Sequence, residues 1–366
     1  MHPETRPSTA FRDLVRAAAL PAGLAAALAA GWGCTRNPYD DAFWYYQPET
    51  RATVIPRVQS GPRSLAMFRG DTGDRIDWYG LSVGIRWADI VIVGEQHDDA
   101  NAHVVQEAIV GEAIAAWPGT AVSMEMLERD EQPTVDAYLR GEISRADFIE
   151  RTGSADWASK GSWDGFYQPV IEAARLGGCP VVAANAPRRF VRMARTDGYD
   201  ALRALPPEEQ ALFSLPERDA PDTYRARFKD FMESGGAEHD DAHVDRVMLA
   251  QRLWDATMAD SIVRARASLP RDAKVVHLVG QFHSEYDGGL VSEIQARAPG
   301  AKVLTVTVQK GEARALRDED RNKADVVVYG VAPMPEWRMF RAGQVTSGPP
   351  ARKRAEEELP SWGFAY

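Results

Sequence analysis

Two short segments of the sequence join a glycine to a histidine three residues later, directly after an apolar run. They are Gly94–His97, which follows "DIVIV", and Gly280–His283, which follows "VVHLV". A third segment of the same form, Gly236–His239, lies in a polar stretch. Chance alone gives roughly 0.6 such matches in a chain of this composition, so the spacing is weak evidence and the preceding apolar run is the informative feature.

Polar side chains also end two further apolar runs. Glu125 lies at the end of "AVSMEM", and Asn185 at the end of "VVAAN". Histidine and carboxylate side chains are ordinary ligands of divalent ions, and a water bound to such an ion can act as a nucleophile. The candidate metal ligands and catalytic residues are Glu95, His97, Glu125 and His283. A metal-free pair, in which a glutamate orients a histidine that acts as a base, is the alternative.

Six apolar runs rich in valine and isoleucine are typical of strands buried on both faces. The predicted strands are Asp89–Val93, Ala121–Met124, Pro180–Ala184, Val275–Val279, Val303–Val308 and Asp325–Tyr329. Helical segments, such as Ala102–Ala116 and Trp163–Leu176, lie between several of them. This alternation predicts an α/β fold with a mostly parallel sheet flanked by helices. Because ligands bind outside the carboxyl ends of the strands in open α/β sheets, four strand ends would bring the polar side chains named above to one edge.

Two connections between the predicted strands are too long for simple crossovers. Residues 126–162 and 186–273 are therefore expected to hold extra helices, as a cap or helical insertion subdomain. Together with the strands they define an α/β domain over residues 80–330. Residues 34–79 are interpreted as a tether and N-terminal extension, and residues 331–366 as a C-terminal surface tail.

Residues 1–33 have the features of an export signal. A start with three arginines is followed by the apolar segment Ala17–Gly33, which is short for a membrane span, and then by Cys34. A cysteine directly after small residues suggests a bacterial lipoprotein signal with Cys34 as the lipidated residue, although Gly31 stands where an aliphatic residue is usual. Ordinary signal cleavage and a poor membrane anchor are the alternatives. The expected location is the periplasmic side of the cell envelope, at the outer membrane, with membrane attachment through Cys34.

The charge of the chain argues against one class of partner. The net charge is −10 and the acidic residues are spread along the sequence, whereas nucleic acid binding requires a clustered basic surface. Apolar residues make up 45% of the chain, which allows a sizeable core. With Cys34 lipidated, Cys179 has no partner for a disulfide and is expected to be a buried small hydrophobe.

The remaining histidines are less informative. His103 follows His97 on the next predicted helix and faces either the site or the helix surface. His277 lies within a predicted strand and is expected in the core. His239 and His243 would share a helix face, which is either a solvated helix start or a metal cluster.

Five blocks of the sequence resemble the ChaN-like group of bacterial proteins, which belongs to the wider Tiki/TraB superfamily. The blocks are "VGEQHDDANAHVVQE", "SMEMLERDEQPTVDAYLRGEIS", "DWASKGSWDGFYQPVIEAARLGGCPVVAANAPRRFVR", "LWDATMADSI" and "LVGQFHSEYDGGL". They occur in order over about residues 80–310, and together they are far more specific than either Gly-x-x-His segment alone.

The resemblance implies an α/β body with a helical subdomain, and it implies haem as cofactor and partner. The group is described as haem-binding, iron-regulated lipoproteins of the bacterial envelope, in which haem can sit as a face-to-face pair between two subunits with tyrosine as an iron ligand. A homodimer is therefore an expected assembly. The candidate haem-binding residues are Tyr167, Asn185 and Met126, with Tyr45 and Tyr46 as further candidate tyrosines. Core positions are the competing interpretation for Tyr167 and Met126.

In the Tiki branch of the superfamily, the two Gly-x-x-His segments and a glutamate mark a metal-dependent peptidase site. The corresponding residues here are Gly94–His97, Glu125 and Gly280–His283. Two functions follow from these comparisons: haem binding in haem or iron uptake by an envelope-anchored protein, and, as the alternative, a metal-dependent hydrolase or peptidase. A scaffold with an inactive site is a third. Whether the chain is an enzyme stays open at this level.

Overall fold

The computed structural model describes residues 61–330 of the chain, except residues 235 and 237. The export signal, Cys34, most of the tether and the C-terminal tail lie outside the described residues.

Within the described residues, eight strands form one sheet. They are β1 (Ala66–Arg69), β2 (Arg75–Ile76), β3 (Ile90–Glu95), β4 (Ala121–Glu128), β5 (Val181–Asn185), β6 (Val275–Gly280), β7 (Val303–Gln309) and β8 (Val326–Tyr329). Their order across the sheet is β2-β1-β8-β7-β3-β6-β4-β5. The strands from β8 to β5 in this order pair in parallel, and β1 and β2 extend one edge in antiparallel.

Twelve α-helices surround the sheet within the described residues. They are α1 (Trp78–Trp87), α2 (Ala100–Ala116), α3 (Gln132–Leu139), α4 (Arg145–Thr152), α5 (Trp163–Phe166), α6 (Gln168–Leu176), α7 (Arg188–Arg203), α8 (Pro207–Gln210), α9 (Asp222–Glu233), α10 (Asp241–Ser268), α11 (Gln281–Ser284) and α12 (Gly289–Arg297). None of them has the length and apolar content that crossing a membrane requires.

The central strand β3 separates two hydrophobic cores. Val91 and Val93 face the core that contains the apolar residues of α2, whereas Ile90 and Ile92 face the core that contains those of α10 and α12. All six residues of β3 are buried, as are all six of β6. A strand covered by helices on both faces excludes water from both, which is why its sequence is a continuous apolar run rather than an alternating one.

Both long connections carry the expected extra helices. Helices α3 and α4 follow β4 within residues 126–162, and helices α7 to α10 lie between β5 and β6. Helix α10 has 28 residues, and Asp240 caps its N-terminus: the Asp240 carboxylate accepts a hydrogen bond of 2.7 Å from the backbone N–H of His243. From there it runs onto the sheet and packs against β4, β5, β6 and α12. The second insertion therefore packs, through α10, against the strands that carry the site.

The fold class predicted from the sequence is confirmed, with two differences in detail. All six predicted strands are present with small shifts at their ends, but β1 and β2, in the predicted N-terminal extension, were missed. β2 has only two residues, and β1 contains no valine or isoleucine, so neither shows the apolar run by which the other strands were predicted. The predicted helix Trp163–Leu176 is two helices, α5 and α6, because Pro169 in the first turn of α6 cannot donate a backbone hydrogen bond to the preceding turn.

Candidate functional site

Four parallel strands end at one edge of the sheet. β3 ends at Glu95, β5 at Asn185 and β6 at Gly280, and β4 carries Glu125 near its end. Since these strands are neighbours in the order β3-β6-β4-β5, their polar ends are adjacent. The structure therefore places the predicted strand ends together, at the edge where open α/β sheets bind ligands.

Glu95 is a buried carboxylate with three polar neighbours. Its Oε1 accepts a hydrogen bond of 2.7 Å from the hydroxyl of Tyr167 and lies 2.9 Å from Nδ1 of His97. Its Oε2 lies 3.2 Å from Nδ1 of His103. Burial by itself would raise the pKa of Glu95, but the charge and hydrogen bonds of His103 and His97 outweigh burial and hold this pKa below its ordinary value. Glu95 is therefore anionic and accepts the proton on Nδ1 of His97.

His97 is the member of this group that reaches solvent. Its side chain is 38% exposed, compared with 6% for His283. The ring of Trp157 meets it edge-on with 4.8 Å between the ring centroids. Burial lowers the pKa of His97, but the hydrogen bond to Glu95 and the charge of Glu125 outweigh burial and raise it. Within residues 61–330, Nε2 of His97 makes no hydrogen bond, so it is the uncommitted nitrogen of the site.

Glu125 lies between the two histidines of the Gly-x-x-His segments. Its Oε2 accepts a hydrogen bond of 2.6 Å from the backbone N–H of Gly280, and its Oε1 lies 3.5 Å from Nε2 of His283. Burial would raise the pKa of Glu125, but the charge of His283 and its hydrogen bond outweigh this and lower it. Glu125 is therefore held as an anion in a fixed orientation.

Gly280 lets the imidazole of His97, which follows β3, lie directly against the end of β6. A Cβ atom at this position would lie 2.8 Å from Cε1 and 3.1 Å from Nε2 of His97, and 3.5 Å from Oε2 of Glu125. Any other residue would have to displace the imidazole. The glycine of the second Gly-x-x-His segment is thus required by close approach rather than by an unusual backbone angle.

Sequence analysis missed the group that supports His283. Asp255, within α10, has its Oδ1 2.6 Å from Nδ1 of His283, and its Oδ2 accepts a hydrogen bond of 2.7 Å from the hydroxyl of Tyr224. The side-chain amide of Gln251 lies 3.1 Å from the same Nδ1. Gly289 makes room for this carboxylate, because a Cβ there would overlap Oδ2 of Asp255. One sequence feature could have indicated Asp255: it is an acidic residue among apolar neighbours, within the block "LWDATMADSI" that resembles the family.

The two carboxylates next to His283 determine its charge. Burial lowers the pKa of His283, but the charges of Asp255 and Glu125 raise it to about 10, so His283 is an imidazolium at neutral pH. Burial raises the pKa of Asp255, and the imidazolium opposes that increase. His283 is thus a buried cation between two acids.

The three predicted haem-binding residues occupy supporting positions. Tyr167 is fully buried, and its hydroxyl donates a hydrogen bond to Glu95. The side-chain amide of Asn185 donates a 3.0 Å hydrogen bond to the backbone carbonyl of Glu125, and Met126 lies in the core. To bind iron, Tyr167 would have to leave the core and release Glu95, so this placement favours a positioning role. Tyr45 and Tyr46 lie outside the described residues.

The other histidines have separate environments. His103 is buried, and its Nε2 lies 3.0 Å from the backbone carbonyl of His97, so it supports the turn after β3. His277 is buried in the core, where burial lowers its pKa to about 3. His239 and His243 stack on one another with 4.8 Å between their ring centroids.

The predicted divalent-ion site receives no support from the structure. Within the described part of the chain, no three His, Cys, Asp or Glu side chains are arranged to hold a metal ion. The physical reason is that all four predicted ligands are already paired: His97 with Glu95, and His283 with Glu125 and with Asp255.

The chain belongs to a haem-binding family. The model of the family described as haem-binding uptake, Tiki superfamily, ChaN, matches residues 84–294, which include both Gly-x-x-His segments and Asp255. The resemblance predicted from the five sequence blocks is therefore confirmed. A search of the curated proteins found no significant match.

The chain is similar to several solved structures. The chain is similar to ChaN of Campylobacter jejuni, solved for its cofacial haem binding, with 18% identity, a TM-score of 0.54, and coverage of 72% of this chain and 96% of that chain. It is also similar to a mutant of the erythromycin esterase EreC in its open conformation, with 10% identity, a TM-score of 0.38, and coverage of 72% of this chain and 82% of that chain. A MARTX toxin effector domain from Vibrio vulnificus gives 17% identity and a TM-score of 0.35, over 67% of this chain and 36% of that chain.

Proposed function

We propose that this chain binds haem and handles it at the bacterial cell envelope. The observation that carries the proposal is the match of residues 84–294 to a haem-binding uptake family. A lipid anchor on Cys34, attachment at the periplasmic side of the outer membrane, a role in iron uptake and a homodimer around a haem pair are the finer parts of the proposal. They rest on the signal-like N-terminus and on the sequence resemblance.

The side chains at the strand-end edge suit a haem group. Haem iron needs an accessible ligand atom, and the flat macrocycle needs apolar or aromatic contacts. His97 offers a partly exposed imidazole with an uncommitted nitrogen, and Trp157 offers an aromatic ring beside it. Bound haem would supply a redox-active iron, while these residues would bind and orient it.

Titration of ferric haemin into the purified full chain tests this function. We expect a saturable change of the Soret band at micromolar haemin, with one haem per chain. Analytical ultracentrifugation of the same samples tests the finer proposal, because a haem pair between two subunits requires a dimer that forms as haem is added. A linear, non-saturating absorbance change would refute haem binding, whereas saturation without dimer formation would refute only the shared haem pair.

Metal-free hydrolysis is a second candidate function, favoured by the Glu95–His97 pair. A carboxylate on Nδ1 fixes the imidazole so that Nε2 can accept a proton, which is the arrangement of a general base. In this function, Nε2 of His97 takes a proton from water while the water oxygen adds to a carbonyl carbon. The tetrahedral oxyanion then expels the leaving oxygen, which receives the same proton from His97. Glu125 and His283 would order the polar side of the site.

An ester probe tests this second function. We expect slow turnover of a p-nitrophenyl ester by the purified chain, unchanged by a chelator and lost in His97→Ala. His243→Ala, in the first turn of α10, is the matched control and should retain the wild-type rate. Equal rates for the two variants would exclude a catalytic role of His97, and a loss of activity on chelation would restore the metal-dependent alternative.

A further inference from the structure

We propose that α7 and the start of α10 form a basic surface that binds the phosphate groups of an anionic phospholipid bilayer. This inference depends on the envelope location in the proposed function, but not on haem binding. The chain carries a net charge of −10, so a local cluster of positive charge is the part of it that can approach an anionic membrane. We call this cluster the arginine surface, and it consists of Arg188, Arg189, Arg192, Arg195 and Arg246.

Three of these arginines lie on one face of α7. Arg188, Arg192 and Arg195 are spaced by four and three residues, which places them above one another on a helix. Asp197 comes five residues after Arg192 and therefore projects about 140° away around the helix. Like charges three and four residues apart destabilise a helix. Anionic groups bound along this face would relieve the repulsion.

The apolar side of α7 faces the protein interior. Phe190, Val191 and Ala194 pack with Ala250 and Leu253 of α10 in one hydrophobic core. An amphipathic helix enters a bilayer through an apolar side that is free to leave the protein, and this side of α7 is already covered. The helix is therefore expected to contact the bilayer by charge alone, which makes the contact sensitive to salt.

The start of α10 extends the arginine surface beyond α7. Burial lowers the pKa of His243, and the positive charges of His239, Arg195 and Arg246 lower it further, whereas Asp240 opposes them. The rings of His239 and His243 stack with 4.8 Å between their centroids. Arg195 of α7 and Arg246 of α10 thus act on the same imidazole, so the positive charges of the two helices form one region.

Two arginines of this surface have no partner in the protein. Within residues 61–330, with the two gaps noted above, the exposed side chains of Arg192 and Arg246 form neither a hydrogen bond nor an ion pair. By contrast, Arg189 pairs with Asp130 at 2.5 Å. An exposed guanidinium without a carboxylate keeps its N–H donors for a ligand, and the planar arrangement of these donors matches a phosphate group.

The acids at the start of α10 are engaged elsewhere. Asp241 and Asp245 pair with Arg225 of α9. The carboxylate of Asp240 accepts the hydrogen bond from the backbone N–H of His243 that caps the helix. These three acids therefore do not neutralise the arginine surface.

A bilayer fits this surface better than a single small anion does. Arg188 and Arg195 are seven residues apart, or about 10 Å along the helix axis, and Arg246 lies on a second helix. Guanidinium groups spread in this way match many phosphates on a surface. The expected lipid anchor on Cys34 would hold the chain close to such a surface, and each arginine near an anionic membrane strengthens binding by about fivefold.

Vesicle sedimentation tests the proposal with the purified full chain, in which Cys34→Ala excludes a lipid anchor. Vesicles of phosphatidylcholine are compared with vesicles that also contain phosphatidylglycerol. We expect additional binding to the anionic vesicles, and this additional binding should be lost at high salt. The double variant Arg192→Gln, Arg246→Gln should reduce it about 25-fold.

A matched double variant removes the same charge from the first insertion. Arg140→Gln, Arg151→Gln changes two exposed arginines at the end of α3 and on α4, and should bind anionic vesicles as the parent chain does. Equal losses in the two double variants, or no gain in binding from phosphatidylglycerol, would overturn the arginine surface. Far-UV circular dichroism on each variant separates lost binding from lost folding.

Competitors distinguish the bilayer from other sources of phosphate. Displacement from vesicles by inorganic phosphate at constant ionic strength would assign the surface to a free ion, and displacement by a short DNA duplex would assign it to nucleic acid. Either result would overturn the bilayer assignment. Haemin titration of Arg192→Gln, Arg246→Gln should give the Soret change of the parent chain. A loss of haem binding confined to this variant would instead assign these arginines to haem, whereas a parent chain without saturable haem binding would refute only the haem function.

Discussion

Asp255 Oδ1 lies 2.6 Å from His283 Nδ1. This contact joins α11, the short helix that directly follows β6, to the interior of the 28-residue helix α10. Glu95 Oε1 and His97 Nδ1 form the corresponding pair on the neighbouring strand at 2.9 Å. Each histidine thus uses Nδ1 for a buried carboxylate, and Glu125 lies between them. The difference is in Nε2: that of His283 lies near Glu125, and that of His97 makes no hydrogen bond to residues 61–330. One imidazole is part of the interior, and the other is available to a ligand.

Asp255→Ala should destabilise the fold strongly, because it leaves the His283 imidazolium buried with one of its two acids missing. Removing one partner of a buried ion pair costs about 3–5 kcal/mol, and we expect a loss in that range in the free energy of unfolding by urea. Asp245→Ala, an exposed acid on the same helix that pairs with Arg225, is the matched control and should cost at most about 1 kcal/mol. Equal losses for the two variants would contradict the described charge state of His283.

Gly280→Ala should push His97 away from the end of β6, since the new methyl group would meet the imidazole of His97. We expect a loss of about 1–3 kcal/mol in the free energy of unfolding, typical of overpacking in an interior, together with a shift of the His97 ring resonances in NMR spectra. Gly111→Ala is the matched control, because a Cβ at that position on α2 meets nothing within 4 Å. It should stabilise the chain by about 0.5–1 kcal/mol. A tolerated alanine at position 280, with unchanged His97 resonances, would show that the close approach is not required.

The convergence of strand ends was predictable, because a buried parallel strand has a recognisable sequence and its carboxyl end has a known place in an α/β sheet. That rule located Glu95, Glu125 and His283 from the sequence. Asp255 was not predictable in the same way, since it comes from the middle of a helix and meets the site only through tertiary packing. The role of Tyr167 was also beyond the sequence, because helix periodicity cannot tell a buried tyrosine that binds Glu95 from one that faces a ligand.

Stability should depend on alkaline pH through His283. Its pKa is raised from an ordinary 6.5 to about 10, so its contribution is fully present below pH 6.5 and is lost as the pH rises through 10. The free energy of unfolding of the wild type should therefore fall over this range, by at most about 1.4 kcal/mol per pH unit for one proton. The double variant His283→Gln, Asp255→Asn removes both charges and should give a flatter curve. Parallel curves for the two proteins would place the titrating group elsewhere.

Glu95→Gln should weaken haem binding, because Glu95 positions the imidazole of His97 at the proposed haem-binding edge. The amide cannot supply the negative charge behind Nδ1 of His97, and loss of such a supporting group typically costs about 10- to 100-fold in affinity. Tyr167→Phe removes one hydrogen bond to Glu95 but keeps the carboxylate, so its effect on haem affinity should be smaller. Haemin titrations of both variants measure the difference. The reverse order, with Tyr167→Phe losing more affinity and its spectral signature, would identify Tyr167 as the ligand.

Haem binding and ester hydrolysis should exclude one another, because both proposals place their ligand at the same edge of the sheet, beside His97 and Trp157. Addition of haemin to a turning-over sample should therefore abolish hydrolysis in proportion to the fraction of chain that is loaded, as measured by the Soret band. Hydrolysis also requires Nε2 of His97 without a proton, and the raised pKa of His97 means that the proton is lost only above pH 6.5. Turnover by the free chain should thus rise with pH, with a midpoint above that value. Hydrolysis that persists in fully haem-loaded protein would show that haem and the ester bind at different places.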